Sequence, residues 1–317
     1  MLATPQCLDA DPEVVEGRGG APRANECSAD LESVTVRCVY CKLPSDGGRS
    51  VEHVIPESLG NETIVLPRGV VCDGCNNHFA RKVEAPFLNA PLVQMLRHGQ
   101  MLPSKKGRVP PMGVFSPQLG DGEIRRYRNG EPPTLAFDPS EMLDRSVRMR
   151  EPFVTCSAMI PPTRVETSRF LAKVAIGCVA HRLLSGGRDI DILVRDPGLD
   201  RIRDHARRGT DPDWPVSVRS IYSPDCRWQD EDCGSSQIVT EVDLFDDDEG
   251  WPHLVLAVFG TELVIGLCDP DISGFERWLA NSGDPSPLYV GSYADDLHTK
   301  SNSSDTFPRS GWSISSS

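Results

Sequence analysis

Between residues 167 and 184, Phe170, Leu171, Val174, Ala175, Cys178 and Leu183 recur at helical spacing. The pattern predicts an amphipathic helix packed on a sheet, capped by Thr167 or Ser168 and ended by Gly186-Gly187. Short runs rich in β-branched residues, separated by turn-formers, predict strands over 153–160, 216–222, 237–244, 253–259 and 262–267. Gly260-Thr261 makes the last two a hairpin. Upstream, a short helical stretch from Pro91 to Met101 precedes a Pro- and Arg-rich passage. The pattern therefore divides the chain into an acidic solvated tail (1–34), a compact module dense in Cys, Gly and Pro (35–90) and a connector without assigned structure (91–150). A mixed α+β accessory domain (151–284) and a polar Ser-rich tail (285–317) follow. The fold class expected is α+β.

Composition narrows the function classes. The chain of 317 residues is 38% hydrophobic, enough to bury a core. It has no run of about 18 consecutive apolar residues, and its first residues lack the charged-then-apolar order of a secretory signal. A cytoplasmic protein with no membrane partner is expected. A net charge of −13 argues at first against binding nucleic acid, but the charge is uneven. Residues 1–34 carry −5 and residues 225–317 carry −14, whereas 35–150 carry +4 and 151–224 carry +2. The middle of the chain can face phosphate; the ends cannot. The acidic run Asp246 to Glu249 should then lie away from any phosphate-binding face.

Of 11 cysteines, four show paired spacing: Cys38-x-x-Cys41 and Cys72-x-x-Cys75. Two such turns bring four thiolates to the corners of a tetrahedron, and a structural Zn²⁺ is the expected occupant. A disulfide framework is disfavoured where no export signal precedes it, and a redox pair would need one motif rather than two.

Between the two pairs the chain reads Glu52-His53-Val54-Ile55-Pro56, then a Gly/Asn loop, a second apolar strand and a helix that Asp73 can cap. With Asn76 directly after the last Cys, residues 36–88 resemble an HNH endonuclease of the zinc-ribbon branch. The resemblance implies a zinc-stapled ββα-metal (His-Me finger) module followed by the mixed domain. It implies a metal-dependent endonuclease that hydrolyses phosphodiester bonds, with nucleic acid, and DNA in particular, as partner. His53 would be the base that activates water. Glu52 and Asn76 would hold one Mg²⁺ or Mn²⁺ through oxygen, while Asn61 is the nearest match to the family's middle Asn, which orients the base through its backbone or side chain, a job that Thr63 or a backbone carbonyl could do instead. Strand alternation would send Glu52 and His53 to opposite faces, so both serve one site only if the strand ends or bends there. Arg68, His78, Arg81 and Lys82 are the residues expected to reach nucleic acid. A zinc-stapled binding module without catalysis, or an inactive relative, shares every one of these residue classes and stays open.

Overall fold

The computed structural model describes residues 36–288 apart from 105–106, 118, 129, 138–153, 157–158, 225, 227, 231–233, 237–239 and 284–285. The side chains of 228–230 and 234–236 are also outside the description. The fold is α+β. The expected tail 1–34 falls outside the described residues, as does all of 285–317 except 286–288.

The Cys-rich segment forms a strand pair and a helix. Strand β1 (Glu52–His53) runs antiparallel to β2 (Val65–Leu66), with Glu52 opposite Leu66 and His53 opposite Val65. Helix α1 (Asp73–Phe79) passes through a π-helical turn, Ala80–Glu84, into α2 (Ala85–Asn89), and α3 (Pro91–Gly99) follows. The cap of α1 is Cys72, whose sulfur accepts from the Cys75 N–H. Asp73 instead ties down the loop before β1, accepting from the N–H groups of Arg49 and Ser50 and, at 2.5 Å, from Ser50 Oγ. A carboxylate on the first residue of a helix can serve a neighbouring loop when the residue before it already caps the helix.

Two four-stranded antiparallel sheets, a two-stranded pair and four further α-helices complete the described residues. Strands β3 (Met112–Ser116), β4 (Gly120–Arg125), β5 (Thr134–Phe137) and β6 (Thr155–Cys156) form a sheet in the order β5-β4-β3-β6. Of the strand expected over 153–160, only 155–156 is strand among the described residues, 154, 159 and 160 being irregular. Helices α4 (Arg164–Ser185), α5 (Asp191–Arg195) and α6 (Asp200–Arg208) come next. Strand β7 (Ser217–Ser220) and the pair β8 (Trp228–Asp230) and β9 (Gly234–Ser236) then lead to β10 (Thr240–Asp246), β11 (Pro252–Val258) and β12 (Thr261–Gly266). The larger sheet has the order β10-β11-β12-β7. Its β11–β12 hairpin turns at Gly260, which sits at φ 76°, and a Cβ there would come 2.1 Å from the Tyr222 carbonyl oxygen. Only glycine fits so close a backbone.

One core joins these parts. Cys38, Val54, Leu66 and Phe79 of the Cys-rich segment, Phe170 to Ile176 of α4, and Leu254, Leu256, Leu263 and Ile265 of the sheet belong to one buried cluster. The other sheet face packs Val255, Ala257 and Val264 against Phe275 of α7 (Ser273–Asn281) and Leu288. The larger sheet is thus sandwiched between α4 and α7. Ser286 at the start of the expected tail is buried and donates to Glu262 Oε2 at 2.5 Å.

The amphipathic reading of α4 is corrected. Thr167, Ser168 and every residue from Phe170 to Cys178 are buried, so the helix has no solvent stripe in its first half. Its cap is Thr163, in a reciprocal box with Glu166, one turn before the expected start. The reason is partners on several sides. Phe170 stacks on Phe87 at 4.1 Å, His205 of α6 meets Ser168 Oγ at 2.9 Å, and the sheet covers the rest.

Two outcomes follow from this packing. Replacing Phe170 with Ala should cost about 3–5 kcal/mol. Urea unfolding followed both by a probe in the Cys-rich segment and by far-UV dichroism should shift together; separate transitions would show two cores. His205 is stacked on Trp214, and burial pushes its imidazole down from 6.5 to about 4. It stays neutral in the folded chain while the unfolded chain takes up a proton below about 6.5, so its contribution is intact above that pH and is lost as pH falls toward 4. The loss is about 3 kcal/mol. Denaturation midpoints measured from pH 7 to 4 should fall more steeply in the natural chain than in His205→Asn.

Candidate functional site

The four paired cysteines converge as their spacing implies. The sulfurs of Cys38, Cys41, Cys72 and Cys75 all lie within 4.8 Å of one another, and Cys41 and Cys72 are 3.7 Å apart. Tetrahedral Zn–S bonds of about 2.3 Å need sulfurs about 3.8 Å apart, so the donor set fits zinc. Each knuckle is a tight turn. Lys42 takes φ 61° and donates its N–H to the Cys38 carbonyl at 2.8 Å, and Gly69 takes φ 88° in the second knuckle. The Val39 N–H reaches the Val70 carbonyl at 3.0 Å and joins the two. A hydrogen bond from Cys75 holds the Cys38 thiol down near 5 and drives the Cys75 thiol up, while burial pushes Cys41 to about 11. Four sulfurs crowded this closely form an arrangement that a divalent cation stabilises.

Helices outside the Cys-rich segment brace this cluster. Arg203 of α6 is buried and donates Nε–H to the Val39 carbonyl at 2.9 Å, and Arg37 pairs with Asp191 of α5 at 2.6 Å. Tyr40 donates its hydroxyl to the Lys173 carbonyl of α4 at 2.8 Å and packs on Phe79.

Above the knuckles, β1 presents its two residues to opposite sides, as strand alternation requires. His53 is half-buried, with Nδ1 buried and lacking a hydrogen-bond partner among the described residues. Asn76 lies against the same strand, donating Nδ2–H to the Val51 carbonyl at 3.0 Å. The helix residue after the last Cys is thereby brought to the start of the strand that carries His53.

Glu52 points the other way, which corrects its reading as an open metal ligand. Its side chain is 4% exposed, and Oε1 meets the ammonium of Lys173 at 2.5 Å. Lys173 is fully buried in α4 and also meets Glu84 Oε1 at 2.9 Å. Burial alone would lower its pKa, but the Glu84 and Glu52 carboxylates more than offset this and raise it, so the lysine stays charged. Among the described residues, the four cysteines are the one group of His, Cys, Asp or Glu side chains gathered closely enough to hold a metal. The Glu52 carboxylate is engaged by Lys173, while the Asn76 amide meets the Val51 carbonyl.

Two further expectations change. Asn61 bonds to the backbone of its own loop and not to the His53 ring. It is buried in the β1–β2 loop, where its amide donates to the Ile55 and Ile64 carbonyls and its carbonyl accepts from the Thr63 and Ile64 N–H groups. It fixes the hairpin by satisfying the backbone of a short loop. His78 is not free for phosphate either, because Nε2 lies 2.7 Å from the Arg207 carbonyl at the end of α6. Arg68, Arg81 and Lys82 are exposed. Asp247 of the acidic run is buried beside His253 at 3.0 Å, and Glu249 pairs with Arg277, so neither is a free surface charge.

Sequence reasoning missed Lys173 and Glu84. A signal existed for the first: Lys173 is the lone charge in the stretch Phe170 to Cys178, where a solvent-facing lysine has no polar neighbour. Glu84 gave none, since its position depends on the π turn.

Residues 38–92 match the model of the HNH endonuclease family. The match covers the knuckles, β1, β2, α1 and α2, and ends before α4 begins. No curated protein and no solved structure matches the chain. Among the described residues no helix is long and apolar enough to cross a membrane.

Purified protein should carry about one tightly held zinc per chain. Cys75→Ala should lose that zinc and become open to proteolysis between residues 36 and 90, read by elemental analysis and limited digestion. Full zinc retention in the variant would refute a four-sulfur site.

Proposed function

We propose that residues 38–92 act as a nuclease module that hydrolyses phosphodiester bonds of nucleic acid, DNA in the first instance. The match to the HNH endonuclease family supports a nuclease-like function. The observation that carries the finer reading is the juxtaposition of His53 on β1 with Asn76 on α1 above a four-cysteine staple. In this reading the imidazole of His53 takes a proton from water through Nε2 as the water oxygen attacks phosphorus and the bond to the leaving oxygen breaks. A neutral imidazole suits this near pH 7. Exposed Arg81 and Lys82, with Arg68 beside the second knuckle, are placed by this reading along the phosphate backbone. A bound divalent cation would supply charge neutralisation at the phosphate. The Asn76 side-chain carbonyl is the donor we assign to it, and Glu52 is not.

One observation favours a second reading. With Glu52 ion-paired to Lys173, the module resembles its family in scaffold while withholding one expected ligand, as a non-catalytic zinc module that binds nucleic acid would.

Cleavage of supercoiled plasmid, assayed with Mg²⁺ and with Mn²⁺, separates the two. His53→Ala should reduce the rate by about 10²–10⁴-fold. Zinc content and thermal unfolding should match the natural chain. Equal rates in both proteins, or no cleavage above background by the natural chain, would favour the binding module.

A further inference from the structure

Among the described residues the ammonium of Lys173 has four oxygen neighbours, and three belong to the consecutive residues 52 to 54, at and just after the strand that carries His53. Nζ lies 2.5 Å from Glu52 Oε1, 2.6 Å from the His53 carbonyl and 2.9 Å from the Val54 carbonyl. The fourth, Glu84 Oε1 at 2.9 Å, comes from the π turn at the end of α1. One buried cation thus joins β1, the α1–α2 helix and α4. Its parent helix approaches very closely here. One turn beyond Lys173, a Cβ on Gly177 would come 3.0 Å from Val54 Cγ1 and 3.4 Å from Tyr40 Oη.

Holding α4 against β1 does not by itself require a lysine. Phe170 on Phe87, Tyr40 on the Lys173 carbonyl and the apolar run around them already make that contact. Burying an ion pair is seldom favourable against well-packed hydrophobic residues of similar size. What the ammonium adds is direction. Two backbone carbonyls and the preceding carboxylate are fixed relative to one point, so the peptide planes on the C-terminal side of His53 and of Val54 cannot rotate. The Cα–Cβ direction of His53 is set with them. The imidazole needs this anchor because Nδ1 has no hydrogen-bond partner among the described residues and the Asn61 amide is spent on the Ile55 and Ile64 carbonyls.

We infer that Lys173, from a helix outside the matched nuclease segment, is a positioning residue for His53, holding the β1 backbone so that the imidazole faces the attacked phosphate. The inference rests on the nuclease reading. It makes α4 part of the working module and gives Glu52 a role as counter-ion to Lys173. Ground-state binding of nucleic acid should depend little on it, because Lys173 is fully buried and touches no substrate.

The test uses the full chain, a labelled DNA duplex with Mn²⁺, and ¹⁵N-histidine spectra. Lys173→Met/Glu84→Gln removes the ammonium together with one carboxylate, which limits the buried charge left unpaired. Its kcat should fall about 100-fold, as for a reacting group displaced by about an ångström, with KM unchanged within about threefold. Zinc content should be unaltered, and the His53 ring signals should shift. Glu84→Gln alone keeps Lys173 and loosens one anchor, so kcat and the ring signals should move the same way by a smaller factor. If the natural chain cleaves and both folded variants match its kcat with unmoved ring signals, the inference fails alone. If the natural chain does not cleave, the nuclease reading fails first.

Discussion

The structure depends on a helix of 22 residues that has almost nowhere to face water along its first half. The Cys-rich segment offers Phe87, Val54 and Tyr40 on one side, the larger sheet offers Leu254 to Ile265 on another, and α6 closes a third. A ββα unit of some fifty residues gathered around four cysteines has little core of its own. Here it gains one by packing on α4. In return the helix obtains charged partners for the one lysine that its burial would otherwise leave unpaired.

Much of this was legible in the residues. The spacing of Cys38, Cys41, Cys72 and Cys75 fixes a local geometry, because two-residue gaps close turns that sulfur–metal bonds can bridge. Strands β10, β11 and β12 were legible from β-branched runs, and their hairpin from Gly260, since β-branched enrichment and turn residues mark a strand even where both faces are covered. Alternation along β1 also foretold that Glu52 and His53 would part, and they do.

What failed to read was long-range. The helical stripe of α4 was visible, but a one-sided pattern does not disclose three neighbours. The small residues Ala172, Ala175 and Gly177 that admit those neighbours look neutral in a sequence. Thr167 lost out to Thr163 because caps compete locally, and the reciprocal bond from Glu166 decided the matter. Asn61 and His78 carry the residue types of a catalytic site yet are spent on backbone carbonyls, a duty set by loop closure and by the end of α6. Spacing specifies ligands that lie near one another in the chain. It does not specify what arrives from 120 residues away, which is the sequence separation between His53 and Lys173.

The π turn at Ala80–Glu84 decides which way each side chain after Asn76 looks. Every residue in such a wide turn advances by less than the roughly 100° of an ordinary α-helical step, so the phase of the helix slips backward. Without the slip, Asn76 and Glu84 would diverge around the axis. With it, the carboxylate swings under β1 while Arg81 and Lys82 remain outside. A single extra residue is thus absorbed within one turn as a rotary offset, and the remainder of the helix, Phe87 included, keeps its mesh with α4.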